Sequence, residues 1–128
     1  MKIEHIAIAC KNKAESDRFF INLLGLSEKR KFTVSEDLME CFFGVKEEKN
    51  VVRYGNDHFD VEVFLTEDDS SALDLFTHPC LIIKNRDKIV NDGMKMGYEV
   101  VKVPRKDSEN YYLFIKDSFG NLYEIKSP

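Results

Sequence analysis

The chain repeats one pattern of secondary structure, and this repeat limits its fold more than any single motif does. Each half predicts a strand, a helix and three further strands, separated by turn residues. Each half also opens on a strand with a histidine and closes on one with a glutamate. Glu4-His5-Ile6-Ala7-Ile8 aligns with Thr77-His78-Pro79-Cys80-Leu81, and Asp60-Val61-Glu62-Val63 aligns with Leu122-Tyr123-Glu124-Ile125. Because an assignment in one half tests its counterpart in the other, the repeat indicates two copies of one module.

Turn and capping residues set the limits of the predicted elements. In the first half we predict strands over residues 3–9, 28–34, 50–54 and 59–65, with helices over 12–24 and 36–43. In the second half we predict strands over 77–83, 98–103, 111–116 and 121–126, with a helix over 87–96. The polar run 66–71 is the clearest linker. Core packing is the simplest interpretation of the short apolar helix over 36–43, and covering a ligand cup or a dimer interface are its alternatives.

Composition and charge exclude several classes of protein. The chain has 128 residues, of which 43% are hydrophobic and 33% charged, as in a globular domain with its own core. The net charge is −4, and basic residues cluster only in short runs such as Lys29-Arg30-Lys31, so we expect no nucleic-acid partner. No apolar run approaches the length that spans a membrane, so we expect no membrane partner either.

The cysteines and the amino-terminal residues both favour a cytoplasmic protein. Cys10, Cys41 and Cys80 are odd in number and lack metal-ligand spacing, which is typical of reduced, partly buried thiols. Met1-Lys2-Ile3 leads directly into the first predicted strand, which leaves no room for a signal peptide.

Strand alternation predicts that the two glutamates point away from the helices. Side chains two residues apart share one face of a strand, so Glu62 shares its face with Asp60 and Phe64. The alternating set of Val61, Val63 and Leu65 is left to pack under a helix. Around Glu124, the apolar neighbours Tyr123 and Ile125 have the same relation to it. The ionisable groups are therefore expected on one face of two curved sheets.

His5, Glu62, His78 and Glu124 together form a competent ligand set for a divalent metal. A single strand histidine is more often structural, and a single strand glutamate is usually solvated, but recurrence in both halves favours the ligand interpretation. Zn, Ni, Co, Mn or Fe would suit these donors and would act as a Lewis acid, with a carboxylate available as general base. His58 has no counterpart in the other half and is expected to be an exposed loop residue.

Three segments resemble the vicinal oxygen chelate superfamily, also termed glyoxalase/bleomycin-resistance/dioxygenase. They are His5-Ile6-Ala7-Ile8, the run from Phe19 to Leu26, and the run from Asp117 to Ile125. The resemblance implies one α+β domain over residues 1–128, built from two βαβββ modules in a cupped mixed sheet around a metal. It places the modules at 1–65 and 77–128 with a linker at 66–76, and it implies a homodimer that binds a small-molecule substrate.

The family's metal positions fall on His5, Glu62, His78 and Glu124, and this set resembles glyoxalase I. Extradiol dioxygenases and fosfomycin-resistance enzymes typically use His, His and Glu, and methylmalonyl-CoA epimerases usually have Gln at the Glu62 place. Bacterial glyoxalase I enzymes usually contact glutathione through an Arg and an Asn, where this chain has Ala9 and Thr66. Neither residue supplies a charge-assisted contact to a carboxylate, so glutathione is not the expected thiol.

The resemblance implies a metal-dependent lyase or isomerase of the glyoxalase type, acting on a small oxygenated substrate such as a 2-oxo compound or hemithioacetal. Glu124 would be the general base, Glu62 a ligand and possible second base, and His5 and His78 neutral metal ligands. Two alternatives stay open at the level of the sequence. One is a metal-free small-molecule binder of the bleomycin-resistance kind, and the other is an isomerase that resembles methylmalonyl-CoA epimerase.

Overall fold

The computed structural model describes residues 3–106 and 108–128, so Met1 and Lys2, which lead into the first predicted strand, lie outside the described residues. The chain divides between Ser70 and Ser71 into two compact units, termed here the first and second module. Among the described residues, no helix is both long and apolar enough to span a membrane.

The first module is a four-stranded sheet with strand order β1-β4-β3-β2. Strand β1 pairs parallel with β4, and the other two pairings are antiparallel. The strands are β1 (Ile6–Cys10), β2 (Ser27–Val34), β3 (Lys49–Gly55) and β4 (Asp60–Leu65). The helices are α1 (Lys13–Asp17), which a π-helical turn over Arg18–Leu23 continues, and α2 (Glu36–Phe43).

Helix α1 and its π-helical turn cover one face of this sheet. Asn12 begins the helix, because its side-chain oxygen accepts the backbone N–H of Glu15 at 2.9 Å. The buried rings of Phe19 and Phe20 follow, and Phe20 stacks on Tyr54 of β3 with ring centroids 5.1 Å apart. The Tyr54 hydroxyl donates to Asp17 at 2.6 Å, so the core tyrosine satisfies its polar end on the helix.

The alternation predicted for β4 is confirmed. Val61, Val63 and Leu65 are buried, whereas Asp60, Glu62 and Phe64 are only partly buried on the opposite face. Burial of the first set fixes the face to which the second set points, since a shift of one residue would reverse both. The orientation of Glu62 therefore follows from the packing of its neighbours in β4.

Helix α2 has the predicted limits, but its contacts differ from those of a core helix. Ser35 begins it by accepting the N–H of Leu38, and Gly44 ends it with φ of 70°. Met39 is its buried side chain, and it packs with Val34 and Val51. Three other apolar side chains are largely exposed: Leu38, Phe42 and Phe43.

Helix α2 therefore lies against the Glu62 face of the sheet instead of joining the core under α1. The ring of Phe43 meets Phe64 edge-on with centroids 5.5 Å apart. Phe64 shares the Glu62 face of β4, and Phe64 pairs in register with Val51. Of the apolar side chains of α2, Met39 is thus the one that packs in a core, as predicted. The aromatic rings of Phe43 and Phe64 lie on the face of the sheet that carries Glu62.

The second module repeats the strand order of the first, as β5-β8-β7-β6 with β5 parallel to β8. Its elements are β5 (Cys80–Ile82), α3 (Arg86–Lys95), β6 (Val100–Pro104), β7 (Tyr111–Lys116) and β8 (Leu122–Lys126). The equivalent strand order supports the internal repeat and the predicted α+β architecture. Strand β5 is shorter than predicted, since Pro79 has no N–H to donate, while its carbonyl accepts the N–H of Glu124 at 3.0 Å.

The turn between β7 and β8 is organised by the buried carboxylate of Asp117. One oxygen accepts the backbone N–H groups of Phe119 and Asn121 at 3.0 and 2.9 Å. The other oxygen accepts the side-chain amide of Asn121 at 2.8 Å and the hydroxyl of Tyr123 at 3.0 Å. Burial raises the pKa of Asp117, and these hydrogen bonds oppose the shift. The carboxylate thus holds the turn that begins the Glu124 strand.

We predict that Asp117→Asn lowers the free energy of unfolding by about 1–3 kcal/mol, because it replaces an acceptor oxygen with an amide group that faces donors. Urea denaturation monitored by circular dichroism measures the change. Asp57→Asn, in the exposed turn between β3 and β4, is the control and should change the value by less than about 0.5 kcal/mol. Equal effects of the two substitutions would contradict this account of the turn.

Candidate metal centre

The first His–Glu pair joins the start of β1 to the middle of β4. His5 immediately precedes β1, and Ala7 of β1 pairs in register with Glu62. Nε2 of His5 and Oε2 of Glu62 are 3.4 Å apart, with side-chain exposures of 34% and 15%. Parallel pairing of an edge strand with its neighbour therefore brings together two residues that lie 57 positions apart in the sequence.

The ring orientation of His5 is set by its neighbour Glu4. A carboxylate oxygen of Glu4 contacts Nδ1 of His5, and the other oxygen pairs with Arg53. Hydrogen bonds from Arg53 and His5 lower the pKa of Glu4, so this group is an ionised acceptor. Nδ1 is then the donor, and in the neutral imidazole Nε2 carries the lone pair, on the side that faces Glu62.

Arg53 of β3 contacts Glu62 from the side opposite His5. Its Nη1 lies 3.5 Å from Oε1 of Glu62, while Nε and Nη2 donate to Asp60 at 2.9 and 2.7 Å. Hydrogen bonds from Lys29 and Arg53 lower the pKa of Asp60, with Lys29 the larger cause. Glu62 thus has one oxygen directed to a guanidinium and the other directed to an imidazole nitrogen.

The second His–Glu pair has the same arrangement in the second module. Nε2 of His78 lies 3.8 Å from Oε2 of Glu124, and Nδ1 lies 2.7 Å from the backbone oxygen of Phe76. A carbonyl can only accept a hydrogen bond, so Nδ1 again donates, and in the neutral imidazole Nε2 carries the lone pair. Asp74 orders this segment by accepting the N–H and hydroxyl groups of Thr77 and the N–H of Phe76, which lower its pKa to about 2.

The surroundings of Glu124 differ from those of Glu62. Phe114 of β7 pairs in register with Glu124, and its ring meets His78 edge-on at 5.3 Å. Cys80 of β5 is the registered neighbour on the other side, where partial desolvation and a hydrogen bond with Glu124 raise the pKa of its largely exposed thiol. Lys126 lies 3.4 Å from Oε1 of Glu124, but its side chain is half exposed. Glu124 therefore has an aromatic ring, a thiol and a solvated ammonium as neighbours.

The position of Cys80 beside Glu124 was not predicted from the sequence. Cys80 is exposed, as is Cys41, so only Cys10 fits the expectation of a buried thiol. The available signal was the spacing of two residues from His78, which Ala7 repeats after His5. Residues two apart on an edge strand share a face, so this spacing could have placed Cys80 beside Glu124, as Ala7 lies beside Glu62.

Both pairs suit a divalent metal in donor chemistry and in spacing. The distances of 3.4 and 3.8 Å exceed a normal hydrogen bond, and with neutral imidazoles two lone-pair donors face each other in each pair. Two ligands of one metal, each about 2.1 Å from it, lie roughly 3.0–3.4 Å apart, within a few tenths of an ångström of these values. Over residues 3–106 and 108–128, the structure contains no group of three or more His, Cys, Asp or Glu side chains that could hold a metal. It therefore arranges the predicted residues as two pairs.

A cavity of about 310 Å³ lies elsewhere in the first module. Its lining residues come mainly from β2 and β3: Lys13, Lys31, Phe32, Thr33, Asn50, Val51, Val52 and Leu65. Lys13 already pairs with Asp17 and Glu28 at 2.7 and 3.1 Å. Neither His5 nor Glu62 lines the cavity, so it is separate from the first His–Glu pair.

Solved structures with similar folds come from several bacteria. A glyoxalase family protein from Enterococcus faecalis matches with a TM-score of 0.71 and 17% identity over 97% of this chain and 95% of its own. One from Bacillus cereus matches with a TM-score of 0.75 and 16% identity over 99% and 93%. A mutant of the fosfomycin resistance protein FosX from Listeria monocytogenes, complexed with Mn(II) and 1S,2S-dihydroxypropylphosphonic acid, matches with 0.71 and 16% over 98% and 91%.

At these identities the solved structures show that the fold is shared, and they carry no information about the activity of this chain. None of the curated proteins compared with the chain matches it. One family model, the Glyoxalase/Bleomycin resistance protein/Dioxygenase superfamily, matches residues 2–125. Because this match covers nearly the whole chain, the protein belongs to the Glyoxalase/Bleomycin resistance protein/Dioxygenase superfamily.

Proposed function

We propose that the protein is a metal-dependent lyase or isomerase of the glyoxalase type that acts on a small oxygenated substrate. The protein ligands are His5, Glu62, His78 and Glu124, and the metal is a divalent ion such as Zn, Ni, Co, Mn or Fe. The two pairs come from the modules of one chain or from modules of two chains. When bound, the metal supplies a Lewis acid that polarises a substrate carbonyl.

One repeated observation supports this proposal more than any other. In both modules an oxygen acceptor engages Nδ1 of the histidine, and Nε2 is directed to a glutamate oxygen. Metal-ligating histidines usually have such an acceptor on the second ring nitrogen, because it fixes the tautomer and raises ligand basicity. A single structural histidine can be held in the same way, but the recurrence of this arrangement with two different acceptors favours metal ligation.

The two carboxylates have separate roles in this proposal. Glu62 is held on one oxygen by Arg53, whose side chain is 15% exposed, and it serves as ligand and as second base where a reaction needs one. Glu124 has the half-exposed Lys126 as its cationic neighbour, and an ion pair with an exposed lysine is weak. The carboxylate of Glu124 can therefore change position at a lower free-energy cost than that of Glu62. Glu124 therefore abstracts and returns the proton on the carbon beside the substrate carbonyl.

Ala9 and Thr66 restrict the thiol component of any substrate. Ala9 lies in β1 beside Phe64, and Thr66 follows directly after the end of β4. Neither side chain carries a charge that could pair with the carboxylates of glutathione. We therefore propose a substrate whose thiol, if it has one, is not glutathione.

We also propose that the protein is a cytoplasmic homodimer. Its three cysteines are free, in keeping with a reducing compartment. The exposed apolar side chains of α2, Leu38, Phe42 and Phe43, would be covered by a second copy.

Metal content separates the enzyme proposal from a metal-free binder of the bleomycin-resistance kind. Protein purified without added metal should contain one divalent ion per two His–Glu pairs, measured by elemental mass spectrometry. Loss of a hydrogen-bond partner of a metal ligand typically lowers metal affinity by about 10–100-fold. His5→Ala removes a ligand itself and should lower the affinity for the metal by more than this. His58→Ala, on the exposed turn, is the matched control and should bind like the wild type. Substoichiometric metal in the wild type, or full binding by His5→Ala, would exclude these ligands.

Proton exchange in D₂O tests the chemistry assigned to Glu124. We expect exchange at the α-carbon of a methylglyoxal hemithioacetal formed with a thiol other than glutathione, followed by NMR. Glu124→Gln keeps an oxygen but removes the base, so exchange should slow by about 10²–10⁴-fold. Glu99→Gln, an exposed glutamate, is the control.

A second substrate separates lyase from epimerase in the same experiment. Exchange confined to a 2-methyl-branched acyl thioester would favour the epimerase-like isomerase. Unchanged exchange in Glu124→Gln would contradict its role as base, and no exchange with either compound would count against both enzymes.

A further inference from the structure

Four side chains of the first module form a closed ring of polar contacts. Arg53 pairs through Nη2 with Glu4, and the other oxygen of Glu4 contacts Nδ1 of His5. Nε2 of His5 lies 3.4 Å from Glu62, and the second oxygen of Glu62 lies 3.5 Å from Nη1 of Arg53. Both members of the His–Glu pair are thus connected to one guanidinium.

The guanidinium of Arg53 is itself held in a fixed orientation. Nε and Nη2 both donate to Oδ2 of Asp60, at 2.9 and 2.7 Å. Lys29 holds the other oxygen of Asp60 at 2.6 Å. Because the guanidinium is planar, fixing two of its nitrogens on Asp60 also fixes the direction of the third, which faces Glu62.

Gly55 gives independent support for this arrangement. It pairs in register with Asp60, and a Cβ atom at this position would lie 1.8 Å from Oδ1 of Asp60 and 2.8 Å from the backbone oxygen of Phe59. Only a residue without a side chain leaves room for the Asp60 carboxylate that holds Arg53.

The second module shows that the fold does not require this ring. Phe114 pairs in register with Glu124, as Arg53 pairs with Glu62. The acceptor for the histidine Nδ1 is there a backbone carbonyl, not a carboxylate. The ionic ring is therefore a property of the first pair, and strand pairing does not account for it.

We propose that Arg53 is a positioning residue of the first His–Glu pair. Through Glu4 it fixes the tautomer of His5 that is protonated on Nδ1, and directly it fixes one oxygen of Glu62. Nε2 of His5 and the other oxygen of Glu62 then face a common point without rearrangement. The inference rests on the proposed function for the identity of the bound ion, whereas the tautomer belongs to the metal-free protein.

Imidazole ¹⁵N NMR of metal-free protein at about pH 8, where an ordinary histidine is neutral, tests the first step. Wild-type His5 should be protonated on Nδ1. Arg53→Met and Glu4→Ala should give a mixture of tautomers at His5 and leave His78 unchanged. Glu4 is exposed, so Glu4→Ala tests the inference even if Arg53→Met unfolds. Arg30→Met is the matched control, because Arg30 pairs in register with Arg53 but lies over the ring of Phe32 at 4.4 Å.

Affinity for Mn²⁺ or Zn²⁺, measured by competition with a chromophoric chelator, tests the second step. Arg53→Met and Glu4→Ala should weaken binding by about 10–100-fold. Arg53→Lys keeps the charge without the planar fork, so its affinity should lie between those of the wild type and Arg53→Met. Arg30→Met should bind like the wild type.

The two readouts separate failure of this inference from failure of the proposed function. If the wild type binds no metal but the His5 tautomer changes in the two variants, the positioning role stands and the metal function fails. If the wild type binds metal while Arg53→Met and Glu4→Ala change neither tautomer nor affinity, the positioning role is overturned. An equal effect in Arg30→Met would also overturn it.

Discussion

Parallel pairing of an edge strand with a central strand is the constraint on which the candidate site depends. In the first module β1 pairs with β4, and in the second module β5 pairs with β8. Each histidine lies just before the edge strand of its module. Each glutamate lies in a central strand, between two residues whose side chains are buried. Burial of Tyr123 and Ile125 around Glu124 fixes its face, as Val61 and Val63 do for Glu62.

Both modules direct a histidine Nε2 to a glutamate oxygen, but different groups surround the two pairs. The first uses Arg53 and Glu4, so its His–Glu pair is surrounded by fixed charges. The second uses a backbone carbonyl and Phe114, so its pair has fewer charged neighbours. In a site that moves a proton, a rigid carboxylate and a freer one can divide the roles of ligand and base.

Local sequence signals predicted the elements well, and lateral contacts poorly. Ser35 and Gly44 gave the limits of α2, and alternation gave the face of Glu62. The exposure of Phe43 depends on tertiary packing, which no local pattern contains. The contact of Cys80 with Glu124 depends on strand register, which its spacing from His78 alone does not give. The ring around Arg53 was beyond sequence analysis for the same reason.

Anomalous X-ray scattering from crystals grown with Mn²⁺ would show whether both His–Glu pairs bind one metal, because it locates the ion and its ligands together. We expect one peak in contact with Nε2 of both His5 and His78 and with carboxylate oxygens of Glu62 and Glu124, whether these come from one chain or two. A peak in contact with other residues, or no peak at a saturating Mn²⁺ concentration, would contradict a metal site built from these four residues.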